Sequence, residues 1–106
     1  YDEIFTVKTK DILYIENRKH GSLIVTKDKS YETNKKPAEW YDIINQPNCF
    51  IQSHKSYLVN LQNVTNFDKS SITFETDDGN LVAHCISQRK YAEFKKAFFD
   101  FAGGIV

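Results

Sequence analysis

Phe50-Ile-Gln-Ser-His-Lys-Ser-Tyr-Leu-Val-Asn60 sets a polar, partly cationic cluster directly ahead of a run that reads as a buried strand. Tyr57, Val59 and Leu61 alternate with Leu58 and Asn60, and aromatic or branched residues at period two suit a pleated, half-buried surface. Ser53-His54-Lys55-Ser56 then falls at the entrance of that strand, where a rigid element aims it outward. The flanking segments are short and strand-like too, so the fold is expected to be mainly β.

On the N-terminal side, Ile4 to Val7 and Ile12 to Ile15 read as strands separated by a polar turn, Lys8 to Asp11. Ile12-Leu-Tyr-Ile15 is apolar on both faces, which places it centrally in a sheet. Asn17 to Ser22 reads as a polar loop whose Gly21 is able to take a positive φ angle. Leu23 to Thr26 and Ser30 to Thr33 flank a hairpin turn at Lys27-Asp-Lys29. Pro37 opens a helix over Ala38 to Gln46 with Trp40, Ile43 and Ile44 on one side, closed by Pro47 and Asn48.

On the C-terminal side, Asn60 to Phe67 continues as strand, and Ile72 to Thr76 and Leu81 to Ile86 flank the hairpin signal Asp77-Asp78-Gly79-Asn80. The period then changes. Tyr91, Phe94, Ala97, Phe98 and Phe101 recur at spacings of three and four, an amphipathic helix with Ser87 as N-cap and Gly103-Gly104 as stop. Eight or nine short strands and two helices that do not alternate with them exclude a parallel α/β fold.

With 106 residues, 41% hydrophobic and 26% charged, the chain is expected to form a single domain over residues 1–106, and its immediate entry into an apolar pattern suggests excision from a longer protein. No apolar stretch approaches the roughly 18 residues of a membrane helix, and no signal-peptide pattern opens the chain. Cys49 and Cys85 have neither zinc nor redox spacing and read as two buried thiols, so a reducing, cytoplasmic setting is expected.

Fourteen Lys and Arg balance fourteen Asp and Glu, but the charges are sorted along the chain. Residues 17–36 carry a net +4, residues 87–96 a net +3, and residues 66–80 a net −3. Were the two basic stretches to share a face with His54 and Lys55, the result would be a polyanion-binding surface; otherwise they are ordinary solvated faces.

The histidines His20, His54 and His84 lack the intervals of a zinc site, so no metal or cofactor is expected. A two-histidine phosphoesterase needs a pair of His-x-Ser/Thr tripeptides. His54-Lys-Ser56 supplies one, but His84 is followed by Cys85 and Ile86, and no Ser/His/Asp, Walker or Rossmann pattern occurs. No enzymatic activity is expected.

Three blocks, Asp11-Ile-Leu-Tyr-Ile-Glu16, Phe50 to Asn60 and Ile86-Ser-Gln-Arg-Lys-Tyr91, resemble the LytTR family in order and spacing and span nearly the whole chain. The middle block, His-Lys/Arg-Ser-Tyr followed by an aliphatic pair and Asn, is the most specific. The resemblance implies an elongated arrangement of small, mostly antiparallel β-sheets with two short helices. It implies a non-enzymatic DNA-binding output domain of a bacterial transcription regulator, usually joined to a receiver domain, that reads the major groove of duplex DNA through loops.

By position, the contact sites implied are the loop Arg18, Lys19, His20, Gly21 and Ser22, then His54, Lys55 and Ser56, then Ser87, Gln88, Arg89 and Lys90. Arg89 is expected to fork onto guanine, or else to form a surface ion pair. Lys55 stands where the family more often has arginine; a point charge fits phosphate better than a base. His54 either donates to DNA or closes the strand entrance with a structural hydrogen bond. Ser56 and Ser87 serve as phosphate donors or caps, and Gln88 pairs with adenine or stays solvated. Gly21 allows close backbone approach to phosphate, and which of Arg18, Lys19 and His20 reads a base stays open. The expected partner is double-stranded DNA with repeated half-sites, bound by two copies that a partner domain dimerises. The other reading is a protein-interaction module that docks through the aromatic C-terminal helix.

Overall fold

The computed structural model describes residues 5–103. In chain order these form β1 (Ile12–Arg18), β2 (Gly21–Thr26), β3 (Ser30–Thr33), α1 (Pro37–Ile44), β4 (Phe50–His54) and β5 (Tyr57–Asn60). Then follow β6 (Val64–Phe67), β7 (Ile72–Thr76), β8 (Gly79–Ala83) and α2 (Gln88–Phe101), with single 3-10 turns at Thr9–Asp11 and Leu61–Asn63. Five strands make one antiparallel sheet in the order β3-β2-β1-β5-β4, and three make a second, β6-β7-β8. The fold is therefore mainly β with two helices, and elongated, with extents of 43 × 28 × 24 Å.

β1 is the middle strand of the larger sheet, as its two-faced apolarity implies. Pairing is interrupted between Ile12 and Tyr14, so Leu13 is an extra residue that lets the strand feed both sides. Leu13 and Tyr14 enter one core, while Ile12 and Ile15 enter the other. The first core lies between the two sheets, where Leu13, Val59, Ile72, Phe74 and Cys85 are fully buried and Phe94 of α2 is driven in with them. The second lies on the opposite face, where Ile15, Ile24, Phe50 and Leu58 meet Trp40 and Ile44 of α1. Each such buried side chain contributes about 1.5–3 kcal/mol.

Several elements depart from the sequence expectation for identifiable reasons. No strand forms over the described part of Ile4 to Val7: residues 5–8 are irregular, and Ile4 lies outside the described residues. The residues that follow, Thr9 to Ile12, are fastened by side-chain amides. Asn60 Nδ2 donates to the carbonyls of Thr9 (3.2 Å) and Ile12 (2.8 Å), and Asn63 Nδ2 to those of Lys10 (2.9 Å) and Ile12 (2.8 Å).

Phe50 to His54 is itself a strand, so the polar cluster is the tip of a β4–β5 hairpin and not the entrance of an isolated strand. α1 stops at Ile44, because Asn45 adopts the left-handed conformation at φ 53°, and Ile43 is 57% exposed instead of packed. β8 ends at Ala83, two residues before Cys85 and Ile86 leave the sheet to enter the core. The Asn17 to Ser22 loop contracts to a turn at Lys19-His20, with Arg18 paired to Gly21.

α2 follows expectation closely, capped by Ser87 Oγ accepting from Lys90 N. Phe67 meets Phe94 and Phe98 edge-on, with centroids 4.9 and 5.4 Å apart, so that stripe is spent on the chain's own core. Only Phe101 of the stripe is exposed, at 39%. Gly103 follows the helix at φ 74°, and Gly104 lies outside the described residues.

Candidate nucleic-acid interface

β1 runs antiparallel to both β2 and β5, so the Lys19-His20 and Lys55-Ser56 turns emerge at the same end of the larger sheet. A backbone bond joins them, Asn17 N donating to Ser56 O at 2.7 Å. The third segment arrives through a bulge. Gln52 pairs with Leu58 and His54 with Tyr57, leaving Ser53 out of the ladder and free to turn inward. Its buried hydroxyl donates to Cys85 O at 2.6 Å, and its carbonyl accepts from Ser87 N at 3.0 Å. The start of α2 is thereby fixed beside the β4–β5 tip, and Lys55 and Lys90 line one cleft of about 400 Å³ with Tyr41, Ile51, Tyr57 and Glu93.

In the first turn, Arg18, Lys19 and His20 are exposed, and Arg18 Nε lies 3.4 Å from Glu16. Gly21 and Ser22 are buried. A Cβ at Gly21 would overlap the Thr33 carbonyl oxygen and sit 2.8 Å from Asn34 Cα, so the glycine answers close approach of the protein's own backbone. Ser22, 1% exposed, donates its hydroxyl to Lys35 O and supports the turn from inside. Neither presents a group to the surface.

In the second turn, His54 Nδ1 accepts from Ser56 N at 3.1 Å, and the ring stands edge-on to Tyr57 with centroids 5.4 Å apart. With Nδ1 accepting, a neutral ring carries its proton on Nε2. Lys55 is exposed and Ser56 half-buried. Beneath the turn, burial first and then the Glu16 carboxylate raise the Tyr57 phenol above its usual range, and the same causes push Tyr14 up to about 12.

At the third segment, Gln88 and Arg89 are exposed on the first turn of α2, and Arg89 forms no ion pair among the described residues. Lys90 is half-buried, with Nζ 3.9 Å from Glu93. Ser87 acts as the cap while its own hydroxyl proton stays available.

One group at this end escaped sequence reasoning. Lys36 counts as a free cation in the sequence, yet its ammonium donates to Asn17 Oδ1, Arg18 O and Lys19 O. The hint was its place just before Pro37, at the N-cap of α1. The acidic stretch is held elsewhere: Asp77 N donates to Lys27 O, which ties the β7–β8 turn to the β2–β3 turn at the far end of the larger sheet.

His84 is exposed, with Nδ1 3.2 Å from Ser70 O, and among the described residues no three His, Cys, Asp or Glu side chains gather as a metal site. No described helix is long and apolar enough to cross a membrane.

A search of curated proteins returns no match. Among solved structures, the chain is similar to the LytTr DNA-binding domain of a Bacillus cereus methyl-accepting/DNA response regulator. The TM-score is 0.62 and the identity 19%, covering 86% of this chain and 84% of that one, which shows a shared fold. The family model for the LytTr DNA-binding domain matches residues 2–99, and the chain belongs to the LytTR family of DNA-binding domains.

Proposed function

We propose that this DNA-binding domain reads duplex DNA sequence-specifically by inserting its two hairpin tips and the start of α2 into the major groove and against the flanking phosphates. The observation that carries the proposal is the pair of backbone bonds, Asn17 N to Ser56 O and Ser87 N to Ser53 O, which bring three segments remote in sequence to one end of the sheet. Arg89 is the base reader: exposed and unpaired among the described residues, it has a planar fork of donors that matches guanine O6 and N7.

Lys19 and Lys55 supply point charges for phosphate, Lys90 adds a third, and Arg18 contributes a guanidinium partly engaged by Glu16. His54 Nε2 and the Ser87 hydroxyl are further donors, and the N-terminus of the 14-residue α2 favours an anion nearby. Gln88, exposed beside Arg89, pairs with adenine in this reading.

The domain serves, in this reading, as the output module of a bacterial transcription regulator acting in the cytoplasm, in keeping with the response regulator that carries the similar domain. A single module this small offers limited contact area, so two copies joined through a dimerising partner domain occupy repeated half-sites.

Selection from random duplexes, followed by anisotropy titration of the enriched sequence over a range of salt, tests the reading. Four neutralised phosphates per copy give a log–log slope of about −3.6. A flat salt response with no enriched sequence would dismiss it in favour of a protein-docking module.

A further inference from the structure

The β1–β2 turn is held by a neighbouring segment. Two-residue hairpin loops favour turns with positive φ at one or both central residues, because these match the twist of the strands. Lys19 and His20 have none: Asn45 is the sole non-glycine residue at positive φ among the described residues. The turn therefore lacks the geometry that would fix it from within, and its fixation comes from outside.

The segment Thr33–Lys36, between β3 and α1, lies directly against it. Gly21 leaves room for the Thr33 carbonyl, Ser22 donates to Lys35 O, and the Lys36 ammonium reaches the outer carbonyls of Arg18 and Lys19 and the Asn17 side chain. Lys36 is anchored in turn by α1. Its amide donates to Glu39 Oε1 at 3.1 Å, its carbonyl accepts from Trp40 N at 3.1 Å, and the Trp40 indole donates to Thr33 Oγ1 at 2.9 Å.

An ammonium has three protons and no acceptor, and here three oxygens converge on it. No proton is left for a phosphate. We propose that Lys36 is a positioning residue for DNA binding, which fixes the Lys19-His20 turn in its reading conformation without itself touching DNA. The proposal rests on the function proposed above. A guanidinium, with its donors spread over a rigid fork, does not satisfy three oxygens converging on one point, so arginine is not an adequate substitute.

The test compares Lys36→Met and Lys36→Arg with wild type, and with Lys55→Met as the phosphate-contact control. Duplex binding is followed by anisotropy across salt concentrations, and the backbone amides of the DNA-free proteins by 15N–1H spectra. Both Lys36 variants are expected to bind about tenfold more weakly, since residues ordered in advance by the ammonium must be ordered on binding. Their salt slope stays at the wild-type value, whereas Lys55→Met loses about 0.9 from it. In the DNA-free spectra, the amides of Lys19, His20 and Gly21 shift while those around Ser53 and Ser87 do not.

A slope reduced by about 0.9 in Lys36→Met would show a phosphate contact and overturn the proposal. Wild-type affinity in Lys36→Arg, or unmoved turn amides in both variants, would overturn it equally. Should Lys36→Met fail to fold, Lys36→Arg decides. Should the wild-type domain show no salt-dependent binding, the DNA role of Lys36 falls with the functional reading, and the amide shifts still report separately whether Lys36 holds the turn.

Discussion

Replacing Ser53 by alanine removes one hydroxyl and tests how the start of α2 is joined to the β4–β5 tip. Ser53 and Cys85 are both 0% exposed, and the 2.6 Å bond from Ser53 Oγ to Cys85 O involves a carbonyl that water does not reach. Loss of the donor leaves that carbonyl buried and unpaired, a cost of about 1–3 kcal/mol. For a domain of this size, each kcal/mol lowers Tm by roughly 4–8 °C, so a fall of about 10 °C is expected.

Urea titration followed by Trp40 fluorescence measures the change directly, with the midpoint moving and the slope m unchanged. Well below the new Tm, the 84–87 segment keeps its Ser87 N to Ser53 O bond but loses the second tie, so duplex affinity falls several-fold as Arg89 loses its fixed position. Stability within about 0.5 kcal/mol of wild type, together with unchanged DNA affinity, would rule out the bulged serine as the join between the two segments.

Other expectations follow from single contacts. Arg89→Ala should weaken a selected cognate duplex by about 1–3 kcal/mol more than a random one, while Lys55→Ala weakens both alike; competition titrations separate the two. Gly21→Ala forces a methyl into the Thr33 carbonyl and should destabilise the fold by about 1–3 kcal/mol in urea titration. The Cys85 thiol, pushed up to about 12 by burial, should resist a thiol reagent at pH 8 in the native state and react only after unfolding, while half-buried Cys49 reacts first. Because the folded state holds the Cys85 and Tyr14 protons more tightly than the unfolded chain, stability should be intact below pH 9 and fall between about 9 and 12, as alkaline melting curves would record.

What the sequence discloses here is burial more readily than pairing. The stripe Tyr91, Phe94, Phe98 marks α2 because one face must be dry, and Asp77-Asp78-Gly79 marks the β7–β8 hairpin because Gly79 takes φ 134°, which few other residues adopt. β4 was concealed: Gln52, Ser53 and His54 carry polar side chains, and the bulge breaks the period of two that strand recognition depends on. The strand pattern over Leu81 to Ile86 runs past β8 for the opposite reason, since Cys85 and Ile86 are apolar in the core without belonging to a ladder. Within the candidate site, exposure separates residues that composition groups together. Arg18, Lys19 and Arg89 face solvent, whereas Ser22 is buried and Lys36 is consumed by three oxygens, and neither fact is encoded in local charge.

Mapping amide shifts in 15N–1H spectra as a duplex is added at low salt reveals whether the three remote segments form one DNA-binding surface. Shifts concentrated at residues 18–21, 54–57 and 87–90, with residues 68–80 unmoved, are the predicted result. Shifts centred on the β7–β8 turn or on the exposed end of α2 near Phe101, with the two hairpin tips silent, would contradict it.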